Sequence, residues 1–177
     1  MSETVGVLAL QGDVREHEAA LTALGAEVVR VRTPEQLRQV GGLVIPGGES
    51  SVIDKLSRIF GVQHPIREAI RAGMPVYGTC AGLIMLADTV LDTIDGQESF
   101  GGLDVAVRRN AFGRQTESFE TELPVPVLGE PPVPATFIRA PAVERVGPGR
   151  RRWRRSPTAP WSRSSRARCW EPPSIRR

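Results

Sequence analysis

A chain of 177 residues with two cysteines and a formal net charge of +3 has room for one domain with a full hydrophobic core. It holds no run of about 18 apolar residues to span a bilayer, and no paired Cys/His spacing that would make a zinc site or a disulfide framework. The opening MSETVGVLALQGD lacks the basic flank and small-residue cleavage site of a signal peptide, so a soluble cytoplasmic protein without membrane contact is expected.

In chain order, Val5–Leu10 reads as a buried strand and Val14–Leu24 as a helix stopped by Gly25. Glu27–Val31 is a second strand. Thr33, Pro34 and Glu35 then supply an N-cap, a proline at the first helical position and an acid in the first turn. Leu43–Ile45 is a third strand, Ser50–Phe60 and Pro65–Ala72 are predicted helices, Met74–Thr79 is a fourth strand and Ala81–Asp88 a further helix. The alternation predicts an α/β fold: a three-layer, mostly parallel, doubly wound sheet of flavodoxin-like type. Beyond Gly101-Gly102 the pieces become strand-like (Leu103–Arg108, Phe119–Leu123, Thr136–Ile138), separated by loops rich in Pro and Gly.

The charge is unevenly spread. Residues 150–177 hold ten arginines against the single acid Glu171, a net +9, which leaves −6 for the 149 residues before them. All three tryptophans, Trp153, Trp161 and Trp170, lie in that tail, which shows neither helical nor strand periodicity. The expected organisation is one domain over 1–149 followed by a tail, 150–177, that is not a domain.

Open α/β sheets bind ligands beyond the carboxyl ends of their strands, and three such places carry chemistry here. Gly78-Thr79-Cys80-Ala81-Gly82 has the form of a nucleophile elbow, with small residues letting the strand turn sharply into a helix and leaving Cys80 exposed. The helix N-terminus favours the thiolate, and the Ala81 N–H is aimed at an oxyanion. The plain alternative is a small buried core cysteine. Pro46-Gly47-Gly48-Glu49-Ser50-Ser51 offers close backbone approach and unshielded N–H donors, or else is an ordinary Gly-rich turn with a serine cap. The run Arg108-Arg109-Asn110-Ala111-Phe112-Gly113-Arg114-Gln115, with Ile138-Arg139 beyond it, supplies guanidinium groups able to hold a carboxylate in a bidentate pair; solvated surface charge is the alternative.

In order, VGVLALQGD (5–13), HEAAL (17–21), LVIPGGES (43–50), PVYGTCAGL (75–83), FGGLDVAVRRNAFGRQTESFE (100–120) and ATFIRAP (135–141) resemble the class I glutamine amidotransferases, specifically the glutaminase-subunit family of pyridoxal 5'-phosphate synthases. The resemblance implies that Cys80 attacks the side-chain amide of L-glutamine, with the backbone at Gly48 and Ala81 as oxyanion hole. It implies glutamine-binding positions at Gly48, Glu49, Ser50, Arg109, Ile138 and Arg139, and places Gln11 near the face that docks on the synthase subunit. Neither a metal nor an organic cofactor is implied. The ammonia would pass to the synthase subunit for pyridoxal 5'-phosphate (vitamin B6) assembly.

A cysteine nucleophile of this class also needs an imidazole base and a carboxylate to orient it. The family supplies them from a C-terminal run like Leu-Gly-Thr-Ser-Phe-His-Pro-Glu, and both are absent from the sequence as printed. The two histidines are His17, within the first helix, and His64, read as a loop residue ahead of a helix. The tail accounts for this. Back-translated two nucleotides out of frame, Cys169-Trp-Glu-Pro-Pro-Ser-Ile-Arg-Arg177 forces Leu and Gly and then permits Thr, Ser, Phe, His, Pro and Glu. A frameshift near Gly149-Arg150 is therefore expected. Two other readings stand beside a working glutaminase: a catalytically inactive docking partner of the synthase, and a chain whose Arg/Trp tail binds nucleic acid. The shifted frame explains the tail's composition more economically than the last, so no nucleic-acid partner is expected.

Overall fold

The computed structural model describes residues 4–109, 111, 119–125, 129–137 and 141–148. Its first part runs β1 (Thr4–Leu8), α1 (Val14–Ala23), β2 (Glu27–Val31), α2 (Pro34–Leu37), β3 (Gly42–Ile45), α3 (Ser50–Ile59), α4 (Gln63–Arg71), β4 (Val76–Gly78) and α5 (Ala81–Leu86). The four strands form one sheet in the order β2-β1-β3-β4, all parallel. The N-cap expected at Thr33 is present, and the structure completes it as a capping box, the Thr33 side chain taking the Gln36 N–H while the Gln36 side chain reaches back to the Thr33 N–H.

The order of the strands fixes the layers. The β1-to-β2 crossover runs one way along the sheet and the next two run back, so right-handed connections put α1 on one face and α2, α3 and α4 on the other. Leu8, Val31, Leu43, Ile45 and Val76 pack with Leu37, Ile53, Ile66, Ile70 and Met85 into the main core. Val7 and Val44 point the opposite way by strand alternation and are buried too, which is why these strands read as continuous apolar runs. The direction reverses between β1 and β3, and the carboxyl ends of those strands are where an open sheet of this kind has its ligand crevice.

A second sheet joins β5 (Ala87–Leu91), β6 (Leu103–Arg108) and β9 (Ala142–Val146), with β5 parallel and β9 antiparallel to β6; β7 (Phe119–Val125) and β8 (Gly129–Phe137) form an antiparallel pair. Ile84, Ala87, Val105 and Val107 form a smaller core that ties α5 to this sheet. The α/β, mostly parallel architecture is the one the sequence predicts.

Three local expectations need correcting. The helix over Ala81–Asp88 stops at Leu86, and Ala87 turns extended to begin β5. The free Met85 carbonyl takes the N–H groups of Phe100 and Gly101, at 2.6 and 3.2 Å, so tertiary contacts end a helix whose apolar sequence gives no stop signal. Strand β8 begins well before Thr136: Pro131, Pro132 and Pro134 argue against a strand, but a two-stranded pair has outer edges where proline's missing N–H costs nothing. His64 lies inside the first turn of α4, not in a loop, with its imidazole exposed and Nδ1 3.4 Å from Glu68. Among the described residues no helix is long and apolar enough to cross a membrane.

Candidate active site

Strand β4 delivers Cys80 and the start of α5 turns away from it. Cys80 has φ 47° and ψ −103°, a left-handed conformation that costs a non-glycine residue about 1–3 kcal/mol and persists only where the surroundings impose it. The two flanking glycines impose it. A Cβ on Gly78 would lie 2.5 Å from the Gly82 carbonyl carbon, and one on Gly82 would overlap the Ile45 carbonyl oxygen, so the strand and helix backbones touch where both residues lack side chains. The elbow read from the sequence is present, and Cys80 is exposed at its tip rather than buried in the core.

The loops at the β1/β3 switch point close on this tip. The Asp13 N–H bonds the Gly47 carbonyl at 3.1 Å, and a Cβ on Gly12 would overlap that same oxygen, so the Gln11-Gly12-Asp13 turn lies directly on Pro46–Glu49. Gln11 Oε1 accepts the backbone N–H of Glu49 at 2.8 Å. Gly48 adopts φ 150°, and any side chain there would strike the Gln11 amide. The face-lining role expected for Gln11 thus comes with a second job, holding the Gly48-Glu49 backbone.

The Cys80 thiol reports its surroundings. Partial burial of the sulfur pushes its pKa up; the Ala81 N–H hydrogen bond works against this, the Asp13 charge raises it, the Gly48 N–H hydrogen bond lowers it, and Glu49 raises it. The net direction is upward, so the helix N-terminus does not by itself make a thiolate here: α5 has only six residues and two carboxylates stand nearby. The Ala81 N–H at the start of α5 and the Gly48 N–H on the facing turn both oppose the upward shift, and the turn lies close: a Cβ on Gly47 would stand 3.5 Å from the Cys80 Cβ.

Glu49 and Arg109 meet across the crevice. Arg109 Nη2 donates to Glu49 Oε1 at 2.6 Å, and the guanidinium is only 10% exposed against 45% for the carboxylate, so Arg109 is not the solvated surface charge its sequence context allows. Ser50, with 1% exposure, opens α3 beneath them. The structure therefore brings together Gln11, Gly48, Glu49, Ser50, Cys80, Ala81 and Arg109. Ile138, Arg139 and the run from Phe112 to Gln115 lie outside the described residues, as does the tail from residue 149 onward. Three neighbours escaped the sequence reading: Asp13 beside Gly47 and Cys80, Gln97 against Arg109, and the His17–Thr79 pair, in which Nε2 and Oγ1 are 3.0 Å apart.

An exposed cysteine on a strand–helix elbow at the switch edge of a parallel sheet is the arrangement expected of a class I glutamine amidotransferase site. A solved structure described as a glutamine amidotransferase superimposes with a TM-score of 0.74 at 46% identity, covering 82% of this chain and 76% of that one. The chain belongs to the SNO glutamine amidotransferase family, whose model matches residues 7–153. Similar relatives are named pyridoxal 5'-phosphate synthase subunit PdxT. The protein from Leifsonia xyli subsp. xyli is 69% identical over 83% of this chain and 74% of its own length. That from Clavibacter michiganensis subsp. michiganensis is 66% identical over 81% and 69%, and that from Streptomyces avermitilis 62% identical over 81% and 71%.

Proposed function

We propose that this chain is the cytoplasmic glutaminase subunit of a pyridoxal 5'-phosphate synthase, hydrolysing L-glutamine to L-glutamate and ammonia and handing the ammonia to the synthase subunit. The observation that carries the reading is the elbow itself: Cys80 at φ 47° is held at the start of α5 with the Gly47-Gly48 turn against it, and the Arg109–Glu49 pair joins that turn. In this reading Cys80 Sγ attacks the carboxamide carbon, and the oxyanion is held by the N–H groups of Gly48 and Ala81. The intermediate collapses to a glutamyl thioester as the amide nitrogen takes a proton and leaves as ammonia. Water then adds to the thioester, and glutamate departs as the thiol recovers its proton. Glu49 suits the substrate α-ammonium and Arg109 its α-carboxylate. Ile138 and Arg139 keep the glutamine-binding role that the resemblance implies. Gln11 serves the docking face while it braces Glu49.

Both proton transfers need a base, and the raised thiol pKa makes that need strict. One observation favours the second reading, a catalytically inactive docking partner: the imidazole of His17 is bonded to Thr79 and that of His64 lies beside Glu68. The family match ends at residue 153, close to where the composition changes, which supports a domain over 1–149 and an out-of-frame tail.

One experiment separates the two readings: ammonia and glutamate are measured with the synthase subunit present, alongside the intact mass of the purified chain. Stoichiometric glutamate and ammonia, abolished in Cys80→Ala, bear out the glutaminase. A chain whose mass matches the printed sequence and that binds the synthase without turnover would be the docking partner.

A further inference from the structure

The geometry points to Gln97 as a positioning residue of the glutamine site, an inference that rests on the glutaminase reading above. Gln97 lies half-buried in the loop between β5 and β6, and its side chain joins two residues of the crevice. Its Oε1 accepts from Arg109 Nη1 at 2.7 Å, while its Nε2 donates to Ser50 Oγ at 3.1 Å. The orientation of this amide is dictated chemically. A guanidinium can only donate, so the carbonyl oxygen must face Arg109, and the NH2 is then left for the Ser50 hydroxyl.

This bond does what the Arg109–Glu49 pair cannot do alone. A guanidinium held by one carboxylate is free to swing and stack over it, where each charge would neutralise the other instead of meeting substrate. Gln97 takes Nη1 while Glu49 takes Nη2, so two partners on two nitrogens fix the guanidinium plane. Through Ser50 the same amide is anchored to the first residue of α3, next in sequence to Glu49. The loop itself is held from behind: the Gln97 N–H bonds the Ile94 carbonyl at 3.1 Å, and the Glu98 N–H bonds Asp54 at 3.2 Å. A neutral side chain is required at 97, because a carboxylate there would draw Arg109 away from Glu49 and repel the α-carboxylate of glutamine. Gln97 therefore sets recognition of the amino-acid end of the substrate, at a distance from the reacting thiol.

The test compares two reagents in the full chain, each read at the Cys80 peptide so that labelling of Cys169 does not enter. One is a chloromethyl-ketone analogue of L-glutamine, from which the thiolate displaces chloride and which must be recognised by its amino-acid end; the other is iodoacetamide, which needs no recognition. In Gln97→Ala the rate of labelling by the analogue falls about tenfold, the loss expected for a charge-assisted hydrogen bond, while the iodoacetamide rate stays within about twofold. Gln97→Glu loses more. Glu98→Ala, which removes the neighbouring bond to Arg67 in the same loop, leaves the selectivity at wild-type level. Equal analogue rates in Gln97→Ala and wild type overturn the inference, as does a parallel fall with both reagents or the same loss in Glu98→Ala. A wild-type chain that L-glutamine does not protect from the analogue overturns the glutaminase reading, and this inference with it.

Discussion

Gln11 and Glu49, separated by 38 residues, are joined by a 2.8 Å hydrogen bond from the Glu49 N–H to Gln11 Oε1. The bond ties the turn after β1 to the turn after β3, the two segments that border the switch point. It also fixes the Gly48-Glu49 peptide, where any side chain on Gly48 would strike the Gln11 amide. A group on the expected docking face is thus bonded to the residue next to Gly48, the proposed oxyanion donor.

Removing that acceptor should loosen the turn without unfolding the sheet. One neutral hydrogen bond contributes about 1 kcal/mol, which is roughly a fivefold change in a local opening equilibrium. Gln11→Ala is therefore expected to speed hydrogen exchange at the Glu49 amide about fivefold, leaving the amides of β1 and β3 protected. Unchanged exchange at Glu49 would show that the side chain does not hold the turn.

Gly82, which lies against backbone at the elbow, differs sharply from a glycine in open space. Gly82→Ala puts a methyl group into the Ile45 carbonyl oxygen and must push α5 off β3, so a loss of about 2–3 kcal/mol is expected in urea unfolding. Gly25, at φ 81° with nothing within 4 Å of a Cβ, carries only the left-handed backbone penalty, and Gly25→Ala should cost about 1 kcal/mol. Equal losses at the two positions would mean that the elbow relaxes and that contact with Ile45 is not what requires Gly82.

The elbow was legible in the sequence because its physics is local: two glycines, a cysteine, a strand before and a helix after lie within a few consecutive residues. The parallel sheet was legible for the same reason, each strand being a short apolar run bounded by turn residues. Arg109 meeting Glu49 across 60 residues of chain is a tertiary fact, and it entered the sequence reading through family resemblance rather than spacing. Gln97 left no signal, since a glutamine in an irregular loop has neither periodicity nor charge. His17 reads from the sequence only as a residue of the first helix, and the packing of α1 beside the elbow brings its imidazole to Thr79. Strand β5 was hidden because Leu83–Ala87 is apolar without interruption, so periodicity alone does not mark where helix becomes strand.

Cys80 should titrate above the range of an ordinary thiol in the resting chain. Burial of the sulfur is the largest cause, and the carboxylates of Asp13 and Glu49 add to it. The thiol is then protonated through neutral pH, and iodoacetamide labelling should rise only toward alkaline pH, with its midpoint higher than that of free cysteine. Asp13→Asn removes one of the opposing charges and should shift the midpoint downward. The linkage has a definite sign: a thiol whose folded pKa exceeds its unfolded value leaves stability constant below the unfolded pKa and erodes it as pH rises past that point. A midpoint below that of free cysteine would contradict the resting geometry.

Asp54 supports the loop that carries Gln97 from inside the core. Its carboxylate is 4% exposed and accepts four hydrogen bonds. Oδ1 takes Arg58 Nε at 3.0 Å and Gln63 Nε2 at 2.8 Å, while Oδ2 takes Arg58 Nη2 at 2.6 Å and the Glu98 N–H at 3.2 Å. Asp54→Ala strips acceptors from α3, α4 and the loop at once; Arg58 is exposed enough to regain water, but the others are only partly so, and about 3 kcal/mol of stability should be lost in urea unfolding. Because Glu98 is the residue after Gln97, the damage should extend to Arg109: at temperatures where the variant is still folded, its affinity for L-glutamine by calorimetry should drop as in Gln97→Ala. A variant that loses stability yet binds glutamine as the wild type does would show that the Ile94 carbonyl alone is enough to seat Gln97, and that the Asp54 cluster serves the fold without serving the site.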